Sequence, residues 1–148
     1  MSVLEQPLTT LYPARKAARA MTAEDLWNLP RVGSPEPAAD GRAFVVPVTR
    51  YDLAKNAPTT QIYFVNADGS GDPRVLTSPD VSASDPRLSP DGSQLAFTRK
   101  DANGKAQLML LPMSGGEARR ATDLPLGVFD PRWLPDGSGL VFAAMLVV

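Results

Sequence analysis

Asp85-Pro86-Arg87-Leu88-Ser89-Pro90-Asp91-Gly92-Ser93-Gln94-Leu95-Ala96-Phe97 returns as Asp130-Pro131-Arg132-Trp133-Leu134-Pro135-Asp136-Gly137-Ser138-Gly139-Leu140-Val141-Phe142, 45 residues later and with nine of thirteen positions identical. A weaker copy stands upstream as Pro35-Glu36-Pro37-Ala38-Ala39-Asp40-Gly41-Arg42-Ala43-Phe44-Val45-Val46. Its Asp-Gly lies 51 residues before Asp91-Gly92. The rest of each unit repeats too. Gln61 to Val65, Asp68-Gly69 and Leu76-Thr77 are matched by Gln107 to Leu111, Ser114-Gly115-Gly116 and Ala121-Thr122. The extra residues of the first unit fall in Tyr51 to Thr60, a polar stretch with Pro58 that reads as a longer surface loop.

One unit reads as four strands. Asp85 to Ser89 is a short strand, and Pro90-Asp91-Gly92 a turn in which Pro presets φ, Asp bonds its own backbone and Gly supplies φ > 0. Gln94 to Arg99 alternates, with Leu95 and Phe97 on one face. Asn103-Gly104 is a hairpin signal. Ala106 to Leu111 is apolar on both faces, and Glu117 to Thr122 reads as a polar outer strand. A four-stranded antiparallel sheet repeating every 40–50 residues or so predicts an all-β chain, a partial β-propeller of such blades. The two-sided apolar strand supports this over a β-sandwich, whose strands alternate more cleanly.

Ahead of the repeats, Thr22-Ala23-Glu24-Asp25 is a capping sequence, with Met21 and Leu26 placed as a hydrophobic staple. Pro30 ends this short helix, which is expected to pack Leu26, Trp27 and Leu29 onto the sheets. The domain reading is a mobile arm over 1–20, a lead-in helix over 21–30 and the propeller over 31–148. Blade one covers about 35–77, blade two about 84–122 and a truncated blade three about 128–148.

Composition removes several functions. The 148 residues hold no Cys and no His. Thiolate chemistry is therefore absent, and no Ser-His-Asp triad can be completed within the chain. The net charge of −1 gives no reason to expect nucleic acid as a partner, and no apolar run is long enough to span a membrane. No secretory signal is recognisable, so a cytoplasmic location is expected.

The Ser-Pro-Asp-Gly-x-x-Leu-Ala-Phe pattern resembles the WD-like repeats of TolB-type proteins and of prolyl oligopeptidase family serine peptidases. The lead-in Met21 to Trp27, followed by Arg31-Val32-Gly33-Ser34-Pro35 and Asp40-Gly41-Arg42, is similar to the start of acylaminoacyl-peptidase-type members. The resemblance runs from Met21 to the C-terminus. It implies a propeller, usually of seven blades, that precedes an α/β-hydrolase domain and restricts access to its triad. The chain has no Gly-x-Ser-x-Gly elbow, so no catalytic residue is transferred. The resulting expectation is a non-catalytic N-terminal propeller fragment of such a peptidase. Its partners are the missing hydrolase domain and, through the parent, peptide substrates. The alternative is a TolB-like protein-binding module. The apolar end, Leu140 to Val148, predicts self-association of the isolated chain.

Individual side chains read as structural. Asp40, Asp91 and Asp136 serve their turns, one per blade, and Asp85 and Asp130 precede Pro at strand starts. Asp68 to Asp72 has Pro73 and Pro79 where a calcium loop wants Gly and Glu. Gly104-Lys105-Ala106 lacks the residues of a phosphate-binding loop. Arg119 and Arg120 are expected to be solvated on opposite faces. Arg87 and Arg132 are placed to reach a neighbouring blade's acid or a central channel, while Trp27, Phe97, Trp133 and Phe142 read as packing residues. No catalytic, cofactor or metal site is assigned.

Overall fold

The computed structural model describes residues 19–145. The arm expected over 1–20 lies outside these residues except for Arg19 and Ala20, as do the last three residues of the third unit. Helix α1 (Ala23–Asn28) is followed by eleven strands: β1 (Arg31–Val32), β2 (Glu36–Pro37), β3 (Ala43–Asp52), β4 (Ala57–Asn66), β5 (Arg74–Val75), β6 (Ala83–Leu88), β7 (Gln94–Lys100), β8 (Ala106–Pro112), β9 (Arg119–Arg120), β10 (Val128–Trp133) and β11 (Leu140–Ala144). They form three antiparallel sheets. The first runs β1-β3-β4-β5, with β2 also on β3; the second runs β6-β7-β8-β9; the third is β10-β11. This is the partial propeller expected from the repeats.

The β8 alternation shows why neighbouring sheets stack. Met109 and Leu111 point into a core shared with Val45 and Ile62 of the first sheet and with Leu95 and Phe97 of β7. Leu108 and Leu110 point the other way, into a core with Ala96 and Val128 that Trp133 and Leu140 of the third sheet pack against. One strand thus seals two interfaces, and burial of its four large side chains stabilises the stack by roughly 1.5–3 kcal/mol each.

The outer strands are secured by a repeated Thr. Thr77 Oγ1 accepts the Ile62 amide at 3.0 Å, and Thr122 Oγ1 accepts the Leu108 amide at 2.9 Å. The buried Gln107 is fully occupied here. It accepts from Thr122 Oγ1 and the Leu124 amide and donates to the Leu124 carbonyl at 2.8 Å. Such saturation is what burying an amide side chain requires. The outer strand of the second blade is shorter than Glu117 to Thr122, because only Arg119 and Arg120 pair with β8.

Three expectations are corrected. Tyr51 to Thr60 is a long hairpin rather than a loop. β3 and β4 stay paired out to Asp52↔Ala57, and Thr49 and Thr60 join their hydroxyls across the ladder at 2.8 Å. The tip is capped by Asp52, which accepts the Ala54 and Lys55 amides, and by Asn56 at φ 49°. Helix α1 has the capping box that was read from Thr22 and Asp25, but it buries no residue. Leu26, Trp27 and Leu29 remain exposed, and Trp27 instead lies against Tyr51 of the long hairpin at 4.7 Å between ring centroids. Arg19 reaches Asp25, and together with the Thr22 amide it holds that carboxyl down at about 2.

The third correction concerns Asp85 and Asp130, which stand inside β6 and β10 rather than at their starts. Each takes φ 50°, where the ladder shifts register between Ser84 and Arg87 and between Phe129 and Arg132. Asp is among the few residues that tolerate a left-handed φ, and the following Pro has no amide to waste at a bulge. The bulge re-aims Arg87 and Arg132, and the site is built on this.

Candidate functional site

Strands β2, β6 and β10 are the first inner strands of successive blades and gather at one rim. They bring together Glu36, Arg87, Asp130 and Arg132. Arg87 Nη1 lies 3.5 Å from Glu36 Oε2 of the first sheet, and Nη2 lies 3.6 Å from Asp130 Oδ1 of the third. Asp130 in turn meets Arg132 at 3.0 Å. The charges alternate along the rim: acid, base, acid, base. Arg87 Nη1 also donates to the Pro86 carbonyl, and Trp133 Nε1 crosses from the third blade to donate to the Arg87 carbonyl at 3.0 Å. Three blades are therefore tied through one residue. Its Nε is buried and has no partner among the described residues.

The repeat explains why Asp130 is free for this work. Its counterpart Asp85 is occupied by the Thr98 hydroxyl at 3.1 Å. The residue matching Thr98 in the third blade is Ala143, which offers no hydroxyl. Asp130 therefore turns to the two arginines. The expectation that Arg87 reaches a neighbouring blade's acid is met on both sides. The bulge was not legible, and the signal that could have found it is the recurrence of Asp-Pro two residues before each Arg.

Two open grooves flank Arg87. One, of about 500 Å³, is lined by Arg31, Ser34, Thr49, Thr60 and Asp85. The other, of about 330 Å³, is lined by Glu36, Ser89, Arg132 and Trp133. A third cavity of about 370 Å³ opens at the outer rim between the first two blades, over Phe97 and Leu111, with Arg99 and Glu117 at its border. These surfaces offer hydrogen bonds and charge, but among the described residues they present no nucleophile held by a base.

The remaining candidates stay apart. Asp40, Asp91 and Asp136 each accept the amide two residues on, at 3.0, 3.0 and 2.9 Å. Asp91 also accepts from the hydroxyls of Ser89 and Ser93. With the Ser89 hydroxyl leading, these bonds hold its carboxyl down at about 2. Asp136 is lowered in the same sense by Ser138. Asp68 accepts the Ser70 amide at 2.8 Å in its own turn, and no group of three potential metal ligands occurs among the described residues. Gly104 and Lys105 close the β7–β8 hairpin, where Asp101 accepts the Lys105 amide. Arg120 is not simply solvated: it pairs with Asp101 at 3.3 Å and with Asp123.

No family model matches the chain. The uncharacterized peptidase YuxL of Bacillus subtilis is 33% identical over 107 residues, which is 72% of this chain and 16% of that protein. Dipeptidyl-peptidase 5 of Porphyromonas endodontalis is 32% identical over 105 residues, 71% of this chain and 15% of that protein. The chain thus spans about one-sixth of the length of these relatives. Among solved structures, the acylaminoacyl peptidase of Pyrococcus horikoshii superimposes with a TM-score of 0.65 at 21% identity, covering 77% of this chain and 17% of that one. The propeller domain of the Trilobed protease of Pyrococcus furiosus gives 0.63 at 18%, covering 76% and 33%. A TolB protein of Agrobacterium tumefaciens gives 0.59 at 26%, covering 72% and 36%. The structural matches fix the fold as a β-propeller segment, and over most of its length the chain is related in sequence to two much longer peptidases.

Proposed function

We propose that this chain is the non-catalytic opening segment of a serine peptidase propeller, which gates or positions peptides for an α/β-hydrolase domain encoded further along the same gene. The observation that carries this reading is the pair of peptidase relatives, matched over most of this chain and only one-sixth of their own length. The charge ladder supports a scaffold role, since it ties blades together and holds no reacting pair. Hydrolysis belongs to the parent, together with its peptide substrates, and a cytoplasmic location is part of the same proposal.

The TolB likeness supports a second reading, a propeller that only binds other proteins. Sequencing the transcript past the Val148 codon and assaying the encoded protein separates the two. The peptidase reading expects more blades, then Gly-x-Ser-x-Gly followed by Asp and His. It also expects cleavage of short peptides but not of intact folded proteins. A stop after further blades, with no elbow and no hydrolysis, contradicts it and favours the binding module.

A further inference from the structure

The third sheet presents a half-made copy of the interface that the second sheet completes. Ala96 of β7 is fully buried against Val128 of the next blade, whereas its counterpart Val141 is 53% exposed. On its outer edge β7 pairs with β8, and among the described residues β11 pairs only with β10. The same asymmetry runs through the charges. The Arg87 side chain is 18% exposed and takes a carboxylate from the blade after it. That of Arg132 is 54% exposed, and among the described residues it pairs with Asp130 of its own sheet alone. The interface is head-to-tail, so the surface that one blade offers forward is what the next blade offers in its turn.

We propose that the open face of the third sheet receives a further blade-type unit that brings a carboxylate to Arg132, as Asp130 is brought to Arg87. The third sheet itself is completed along the free edge of β11 by an antiparallel strand, apolar on both sides, as β8 completes the sheet of β7. The further unit places an apolar side chain on Val141, as Val128 sits on Ala96. This rests on the parent-peptidase reading, under which that unit follows in the same chain. The spacing of Ser34, Asp85 and Asp130, which is 51 and then 45 residues, puts the acid 45–51 residues beyond Asp130, followed by Pro.

The protein encoded by the whole reading frame tests this. An acidic residue within that interval is expected. The substitution Arg132→Met and the change of that acid to its amide should each lower the melting temperature of the propeller, and the double variant should fall no further than the worse single variant. Arg132→Gln, which removes the charge but keeps much of the stem, serves if Arg132→Met does not fold. A frame that continues through another blade without an acid at that place overturns the proposal and leaves the peptidase reading standing, as do strictly additive effects. A frame that stops at Val148 overturns both, and a second copy offering its first blade and Glu36 becomes the occupant to test.

Discussion

The second and third blades share a thirteen-residue motif, and the glycines of their Asp-Gly turns take the same backbone angle, Gly92 and Gly137 both at φ 71°. Yet Phe97 in the second blade is 2% exposed, while Phe142 at the same position in the third is 38% exposed. The local sequence is nearly the same, so the difference lies in what stands alongside. The second blade has a neighbour on each side and two further strands of its own. Among the described residues the third has one neighbour and two strands. In repeat proteins stability resides largely in these nearest-neighbour terms. The motif therefore specifies a turn and a strand pair, and the adjacent units decide whether that pair is a core.

The largest test of the contrast is truncation of the paired aromatics. Phe97→Ala is expected to cost about 3–5 kcal/mol, as for a buried Phe. Phe142→Ala should cost under about 1 kcal/mol, because less contact is lost. Urea unfolding of both variants checks this, and equal losses break the comparison. Next comes Gly127, which leads into β10 at φ 81° and would place a Cβ 2.7 Å from the Ala106 carbonyl. Gly127→Ala should cost about 2 kcal/mol or more, since backbone strain and close approach act together. It sharpens the picture by prying the third blade from the second. Gly92→Val adds only the strain of a positive φ, because its Cβ meets nothing within 4 Å, and about 1 kcal/mol is expected. An unchanged melting temperature for Gly92→Val would contradict the turn assignment.

The smallest effect is a pH dependence. Asp91 has its carboxyl held at about 2 by Ser89 and Ser93, below its unfolded value near 3.9. Its contribution is therefore complete above about pH 4 and is lost as pH falls through about 2. Melting curves between pH 5 and 2 should fall less steeply for Asp91→Asn than for the parent chain. A parallel fall would show that the hydroxyl bonds at that turn do not matter.

The sequence made some of this legible and hid the rest, for physical reasons. Turns are local, so Pro90-Asp91-Gly92 and its copies could be read directly, as could the Thr22 cap. The two-sided apolar character of Ala106 to Leu111 announced that β8 has neighbours on both faces. The long hairpin was hidden because Tyr51 to Thr60 looks polar. Its ladder is held by the paired hydroxyls of Thr49 and Thr60, which need no buried face. The bulges at Asp85 and Asp130 were hidden because a residue before Pro reads as extended. The reach of Arg87 to acids 51 residues before it and 43 residues after it was anticipated in kind. Its joint hold on two blades was not, because that depends on Ala143 standing where Thr98 stands and leaving Asp130 free.

The central claim is that two blades share finished cores while the third is left open, and amide hydrogen exchange on the isolated chain tests it most directly. The amides of β7 and β8 are expected to exchange slowly, close to the limit set by global unfolding. Those of β11 should exchange orders of magnitude faster through local opening. Equal protection of Leu95 to Thr98 and of Leu140 to Ala143 would contradict it. The third sheet would then already be as complete as the second.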